Sequence, residues 1–234
     1  MKTIGLLGGM SWTSTESYYR LINQEVQARL GGLHSAKLCL YSVDFHEIEA
    51  LQRSSEWDKA GEKLSCAASH LEKAGADFLL ICTNTMHKVA LHVQSSIDIP
   101  LLHIADATAK QLTKNGIQKV GLLGTRFTME QDFYKGRLKG QFGIDVVVPD
   151  QTDRQYIHDV IFQELCRDKI SSVSRERYIE VTHKLQKKGA EGVILGCTEI
   201  AMLLEQQHLD LPLFDTTAIH ARAAVDLALS EHLI

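Results

Sequence analysis

Leu79-Leu80-Ile81-Cys82-Thr83-Asn84-Thr85 and Val193-Ile194-Leu195-Gly196-Cys197-Thr198-Glu199 follow one pattern: an apolar run that stops in small polar residues. Overlaid, Thr83 falls on Cys197, and Asn84-Thr85 falls on Thr198-Glu199. Working outward, Ile4-Gly5-Leu6-Leu7-Gly8-Gly9 recurs as Val120-Gly121-Leu122-Leu123-Gly124-Thr125, and Ile99-Pro100-Leu101 recurs as Leu211-Pro212-Leu213. The three offsets are 116, 114 and 112 residues, a drift of only four. A repeat of half the chain implies two similar domains rather than a solenoid of short units.

Each run is short, Val/Ile/Leu-rich and uninterrupted, as expected of parallel strands buried on both faces. Strands are predicted at 2–7, 36–43, 77–82, 99–103, 118–123, 144–148, 191–196 and 211–215. Helical spacing appears between them. Residues 60–73 align Leu64, Ala67, Ala68 and Leu71, and residues 153–167 align Ile157, Val160, Ile161 and Leu165. Thr13, Ser14 and Asp153 are candidate helix caps. The fold class is therefore α/β: two pseudo-symmetric domains with parallel-type sheets and a cleft between them. The expected division is 1–103 plus 216–234 for the first domain and 104–215 for the second, with the last helix, about 217–231, returning to the first.

The 234 residues carry a net charge of −4 and no basic block, so neither nucleic acid nor a membrane surface is an expected partner. The opening MKTIGLLGG is too short for a secretory core or a membrane span. Five scattered cysteines (Cys39, Cys66, Cys82, Cys166, Cys197) form no zinc spacing, so no metal is expected and a reducing, cytoplasmic location is. The glycines complete neither a phosphate loop nor GxGxxG, which disfavours NAD; no cofactor is expected.

In open parallel sheets ligands bind beyond the carboxyl ends of the strands. Four such ends carry small polar residues: Gly8-Gly9-Met10-Ser11, Thr83-Asn84-Thr85, Gly124-Thr125-Arg126 and Cys197-Thr198-Glu199. Each precedes a helical segment, whose free amides and positive dipole end suit a small anion. Free cysteines are usually inert core residues. Cys197, at a strand end before a helix start, is expected to be a reactive thiolate instead.

With these motifs in view, the chain resembles the aspartate/glutamate racemase family, which uses no pyridoxal phosphate. The resemblance runs from GLLGGMSW (Gly5 to Trp12) through TNTMHK (Thr83 to Lys88) and LGTRFTMEQDFY (Leu123 to Tyr134) to GCTEI (Gly196 to Ile200). It implies racemisation of an acidic amino acid between two α/β domains, with one catalytic position from each half. In most members both are cysteines; here they match Thr83 and Cys197. The resemblance further implies substrate contacts from Met10, Ser11, Gln52, Arg53, Asn84, Thr85, Thr125, Thr198 and Glu199, and a possible homodimer. Many aspartate-specific members carry a lysine in the helix matching 153–167. Cys166 and Arg167 stand nearest here, which puts strict aspartate selectivity in doubt.

Inverting an α-carbon needs one group to remove a proton and another, on the opposite face, to return one. A cysteine has a pKa near ~8.5, whereas an alcohol lies closer to water at ~15.7. Cys197 is therefore the expected base, and Thr83 the donor or relay. The enzyme is expected to be kinetically asymmetric, favouring L-enantiomers. Glu199 either orients Cys197 or contacts the substrate amine. His87, one turn after Thr83, could tune that end but reads better as structural, and His103 and His220 have weaker claims to function. Two alternatives remain open: a single-cysteine decarboxylase or isomerase of the same superfamily, and a non-catalytic binder of acidic amino acids.

Overall fold

In the computed structural model, residues 1–231 are described. The chain divides into two compact units: Met1–Ile104 with the segment from His220 onward, and Ala105–Ile219.

The first unit runs β1 (Ile4–Gly8), α1 (Trp12–Leu30), β2 (Leu38–Ser42), α2 (Phe45–Arg53), α3 (Trp57–Lys73), β3 (Phe78–Ile81), a 3-10 turn (Thr85–Val89), α4 (Ala90–Gln94) and the start of α5 (Ile104–Lys114). Its strands are parallel in the order β2-β1-β3. Both faces of the sheet are covered. Leu7, Leu79 and Ile81 pack on one side with Ile48, Leu64 and Val93. Ile4, Leu6, Phe78 and Leu80 pack on the other with Tyr18, Ile22, Ala221, Ala224 and Val225. This odd–even division is the two-residue period of a strand expressed in a sheet buried on both faces.

The second unit runs the rest of α5, β4 (Lys119–Gly124), α6 (Arg126–Glu130), α7 (Asp132–Phe142), β5 (Asp145–Val147), α8 (Gln151–Gln163), α9 (Ser172–Lys187), β6 (Val193–Gly196), α10 (Ile200–Leu203), β7 (Leu213–Asp215) and the first turn of α11 (Thr216–Leu229), whose remainder from His220 belongs to the first unit. The parallel order β5-β4-β6-β7 repeats that of the first unit with one strand more. The extra strand accounts for a departure from the sequence reading. Residues 99–103 form no strand, only an isolated parallel bridge between Leu79 and Leu101. The Leu79 N–H donates to the Pro100 carbonyl, and the Leu102 N–H donates back to Leu79. The pairing ends with these two bonds, although Pro100 and Pro212 accept alike from the neighbouring strand, Pro212 from the Val193 N–H. After Pro212, its counterpart, Leu213–Asp215 does extend into β7.

The helix starts also differ from expectation. Thr13 and Ser14 lie inside α1: the cap is Ser11, whose Oγ accepts from the Ser14 N–H at 3.3 Å. Asp153 lies inside α8, whose cap is Asp150. The Asp153 carboxylate is buried and held instead by Arg177 at 2.6 Å and Lys184 at 2.7 Å. The predicted helix over 153–167 stops at Gln163. A 3-10 turn over Leu165–Arg167 follows, closed by left-handed Asp168. Among the described residues no helix is long and apolar enough to cross a membrane.

Candidate active site

The strand registers decide which loops share an edge. In the first unit Leu7 sits opposite Ile81, so the chain leaving β1 and the chain leaving β3 emerge together. That brings Met10 and Ser11 to the same edge as Thr83, Asn84 and Thr85. Gly9 makes the β1 exit possible: its φ is +94°, and a side chain there would run into the Val43 backbone. Beyond it, the Gly9 N–H donates to Thr15 Oγ1 at 2.8 Å, and Ser14 Oγ donates to the Cys82 carbonyl at 2.9 Å. These two bonds tie the start of α1 to both strand exits. Met10, Ser11, Asn84 and Thr85 are buried, and Thr83 is partly exposed at the edge.

In the second unit Gly124 pairs with Gly196, so Thr125 and Cys197 follow at adjacent positions. A Cβ on Gly196 would lie 2.8 Å from the Leu123 carbonyl, so the strands approach closely immediately before the site. Thr125 is buried and caps α6, accepting from the Thr128 N–H at 3.3 Å.

The chemical centre of this unit is a carboxylate between two thiols. Cys197 Sγ donates to Glu199 Oε2 at 2.9 Å, and Cys166 Sγ lies 3.8 Å from Glu199 Oε1. Glu199 is only 4% exposed, while Cys197 and Thr198 are partly exposed. Burial pushes the Cys197 thiol well up from its ordinary value, and the negative charge of Glu199 adds to the effect. This environment works against the expected thiolate: burial and the Glu199 carboxylate both favour the protonated thiol. The helix behind it offsets little of this. α10 spans only Ile200–Leu203, too few aligned peptides for much dipole. The same shortness limits the 3-10 turn after Thr83 and α6 after Thr125. Of the four strand exits, only the one from β1 leads into a long helix, the 19-residue α1.

The remaining predicted contacts separate cleanly on α2. Gln52 is buried, with Nε2 donating to Met86 Sδ at 3.0 Å. Arg53, the next residue, turns to solvent with its side chain 72% exposed, 3.9 Å from Glu49. Asn84 makes no side-chain cap bond to the turn it precedes, and neither does Glu199 to α10.

Three further contacts surround these residues, and two of them lay beyond the sequence reading. His87 Nδ1 lies 2.7 Å from the Thr83 carbonyl. Cys166 shares Glu199 with Cys197. His220 joins Tyr18 Oη at 2.8 Å to the Leu102 carbonyl at 2.8 Å. The first has a visible signal, since residues four apart in a helical turn meet. The other two join residues 33 or more positions apart and leave no local trace.

Comparison with known proteins identifies the family. A broad specificity amino-acid racemase from Bacillus subtilis, RacX, is 24% identical over 97% of this chain and 98% of its own. The crystal structure of a candidate Asp/Glu racemase from Yersinia pestis is 57% identical, covers 98% of this chain and 100% of its own, and superposes with a TM-score of 0.92. That of an aspartate racemase homologue from Pyrococcus horikoshii OT3 is 34% identical at a TM-score of 0.86, covering 98% of this chain and 100% of its own. The model of the Asp/Glu/hydantoin racemase family matches residues 7–224, from the end of β1 to the last helix. With its paired parallel sheets and the polar exits of β1, β3, β4 and β6, this chain belongs to the Asp/Glu/hydantoin racemase family.

Proposed function

We propose that this protein is a cofactor-independent racemase of acidic amino acids, aspartate or glutamate, in which Cys197 and Thr83 exchange protons on opposite faces of the substrate α-carbon. The observation that carries the reading is the thiol of Cys197 bound to the buried carboxylate of Glu199 at 2.9 Å. Family membership and the names of the relatives support the reaction class.

The chemistry follows from the resting state. A protonated Cys197 is no base. Its proton has an acceptor at hand in Glu199 Oε2, and an incoming substrate ammonium compensates the charge left on sulfur. The thiolate then removes the α-proton. Negative charge grows on the substrate carboxylate as the proton leaves, so donors fixed around it lower the barrier. Buried Ser11, Asn84, Thr85 and Thr125, together with Thr198, are the polar groups assigned to substrate binding. Met10 is assigned to the pocket wall, and the Gln52 amide to the substrate's distal carboxylate. Thr83 delivers a proton to the other face, directly or by relay.

Positioned acid–base groups of this kind contribute ~10²–10⁴-fold each. An alcohol is a far weaker acid than a thiol and is scarcely ever ionised to act as a base, so the two directions are unequal. The equilibrium constant between free enantiomers is one, which forces kcat/KM to be equal both ways. The asymmetry therefore resides in kcat and KM separately: the L-enantiomer turns over faster at saturation, and the D-enantiomer binds more tightly and turns over more slowly.

Proton NMR of L- and D-aspartate and glutamate in heavy water, with wild type, Cys197→Ala and Thr83→Cys, tests this. The expected result is α-proton exchange lost in Cys197→Ala, faster saturated turnover of the L form in wild type, and a gain on the D form in Thr83→Cys. Equal saturated rates for both enantiomers would remove the asymmetry, and exchange surviving in Cys197→Ala would remove the base. Carbon dioxide release from a malonate without racemisation would assign the site to decarboxylation instead.

A further inference from the structure

His87 is buried in the first unit, 3% exposed, and its two ring nitrogens have different partners. Nδ1 is 2.7 Å from the Thr83 carbonyl oxygen, and Nε2 is 3.2 Å from the Ile104 backbone nitrogen. A carbonyl can only accept and a backbone N–H can only donate. The ring is therefore fixed as the neutral tautomer, with the proton on Nδ1 and the lone pair on Nε2. In this form it spans from the exit of β3 to the first residue of α5, where the chain leaves the first unit.

The ring is also held from the side. The His103 ring lies 4.5 Å from it and the His220 ring 5.9 Å, both edge-on. His220 is in turn fixed between Tyr18 Oη and the Leu102 carbonyl. The ring that bonds the Thr83 carbonyl is thus flanked by two further buried imidazoles, one of them, His220, fixed at both nitrogens. A ring so constrained cannot yield to the loop, so the loop must conform to the ring. An alcohol that passes a proton to carbon depends on placement more than a thiol does, because its intrinsic acidity contributes so little. Misplacement of a reacting group by about 1 Å is enough to cost ~10²-fold in rate.

We propose that His87 is the positioning residue of Thr83: its Nδ1–H, by holding the Thr83 carbonyl, sets the direction of the Thr83 hydroxyl, and the proton step on that face depends on this bond whereas the step at Cys197 does not. The inference rests on Thr83 serving one face of the substrate, as proposed above.

Two side chains separate the two bonds. In His87→Asn the amide nitrogen takes the place of Nδ1 and keeps the donor to Thr83. In His87→Gln the amide reaches the place of Nε2, keeps the partner of Ile104 and loses the bond to Thr83. The assay follows saturating L-aspartate in heavy water with the full-length protein. It compares deuterium entering recovered L-aspartate, which reports the Cys197 face, with formation of D-aspartate, which also needs the Thr83 face. His87→Gln is expected to raise the ratio of exchange to inversion on the order of tenfold, with KM little changed. His87→Asn is expected to restore the ratio to within about threefold of wild type.

Equal ratios in the two variants, or an unmoved ratio in His87→Gln when Thr83→Ala does move it, overturn the positioning role alone. An unmoved ratio in Thr83→Ala overturns the reading of Thr83 and the inference with it. Imidazole nitrogen-15 NMR gives a check that needs no turnover: His87 is expected to carry its proton on Nδ1, and a proton on Nε2 would overturn the proposal.

Discussion

At the scale of single residues, the decisive pair is Cys197 and Glu199. The carboxylate has two effects: it raises the thiol and it offers a place for the proton. Glu199→Gln keeps the shape and removes both, so kcat is expected to fall ~10²-fold with a small change in KM, measured as initial racemisation rates. An unchanged kcat would place the acceptor elsewhere. The pH profile follows from the direction of the Cys197 shift. Because the proton of Cys197 passes to Glu199 within the site, the enzyme with a protonated thiol is the form that takes substrate, and the upward shift keeps that form populated, so kcat/KM is expected to stay level from pH ~7 to ~8.5. A steady climb over that interval would show that the thiol must lose its proton to solvent before it acts. Arg53 has the opposite standing. Its solvent-facing side chain makes one long ion pair, and exposed pairs contribute little. Arg53→Ala is expected to leave KM for aspartate within about threefold and stability within ~0.5 kcal/mol, by kinetics and urea denaturation.

At the scale of elements, the strands were legible because burial on both faces writes itself as unbroken apolar runs, as in Phe78–Ile81 and Val193–Gly196. The departures came where similar sequence took different hydrogen-bond partners. Residues 99–103 look like their counterparts at 211–215, but only the latter extend past their proline. Ser11 displaced Thr13 and Ser14 as the cap because a side chain three residues ahead reaches the free amide. TNT and CTE were legible as small polar residues at strand ends, a composition that also serves helix caps, as Ser11 and Thr125 do. The environment of Cys197 was not legible, because it depends on burial and on Glu199 and Cys166 closing around it. One element-scale prediction isolates the exit from β1. Gly9→Ala is expected to destabilise the protein by ~2 kcal/mol or more, through both the left-handed φ and the Val43 backbone. A urea midpoint within ~0.5 kcal/mol of wild type would show that the loop has another course open to it.

For the molecule as a whole, the buried thiol of Cys82 sets an alkaline limit. Burial raises it far above the ordinary cysteine value. Below pH ~8.5 the thiol is protonated whether folded or not, and it contributes no pH dependence. Above that, the unfolded chain gives up the proton while the folded one keeps it, so stability falls by ~1.4 kcal/mol per pH unit. Reversible urea unfolding under reducing conditions at pH 8 and pH 10 is expected to show a loss of at least ~2 kcal/mol, smaller in Cys82→Ala. No loss in wild type would mean that the strand end opens to solvent. A different consequence follows from where the chain ends lie. Ala221, Ala224, Val225 and Ala228 cover the same sheet face as Ile4, Leu6 and Leu80, and the Lys2 N–H donates to the Ala228 carbonyl at 2.9 Å. A ribosome therefore releases everything needed for the middle of the protein before it releases the last piece of the beginning. The nascent amino-terminal sheet must wait, with an oily side open to chaperones, until the final helix emerges to cover it.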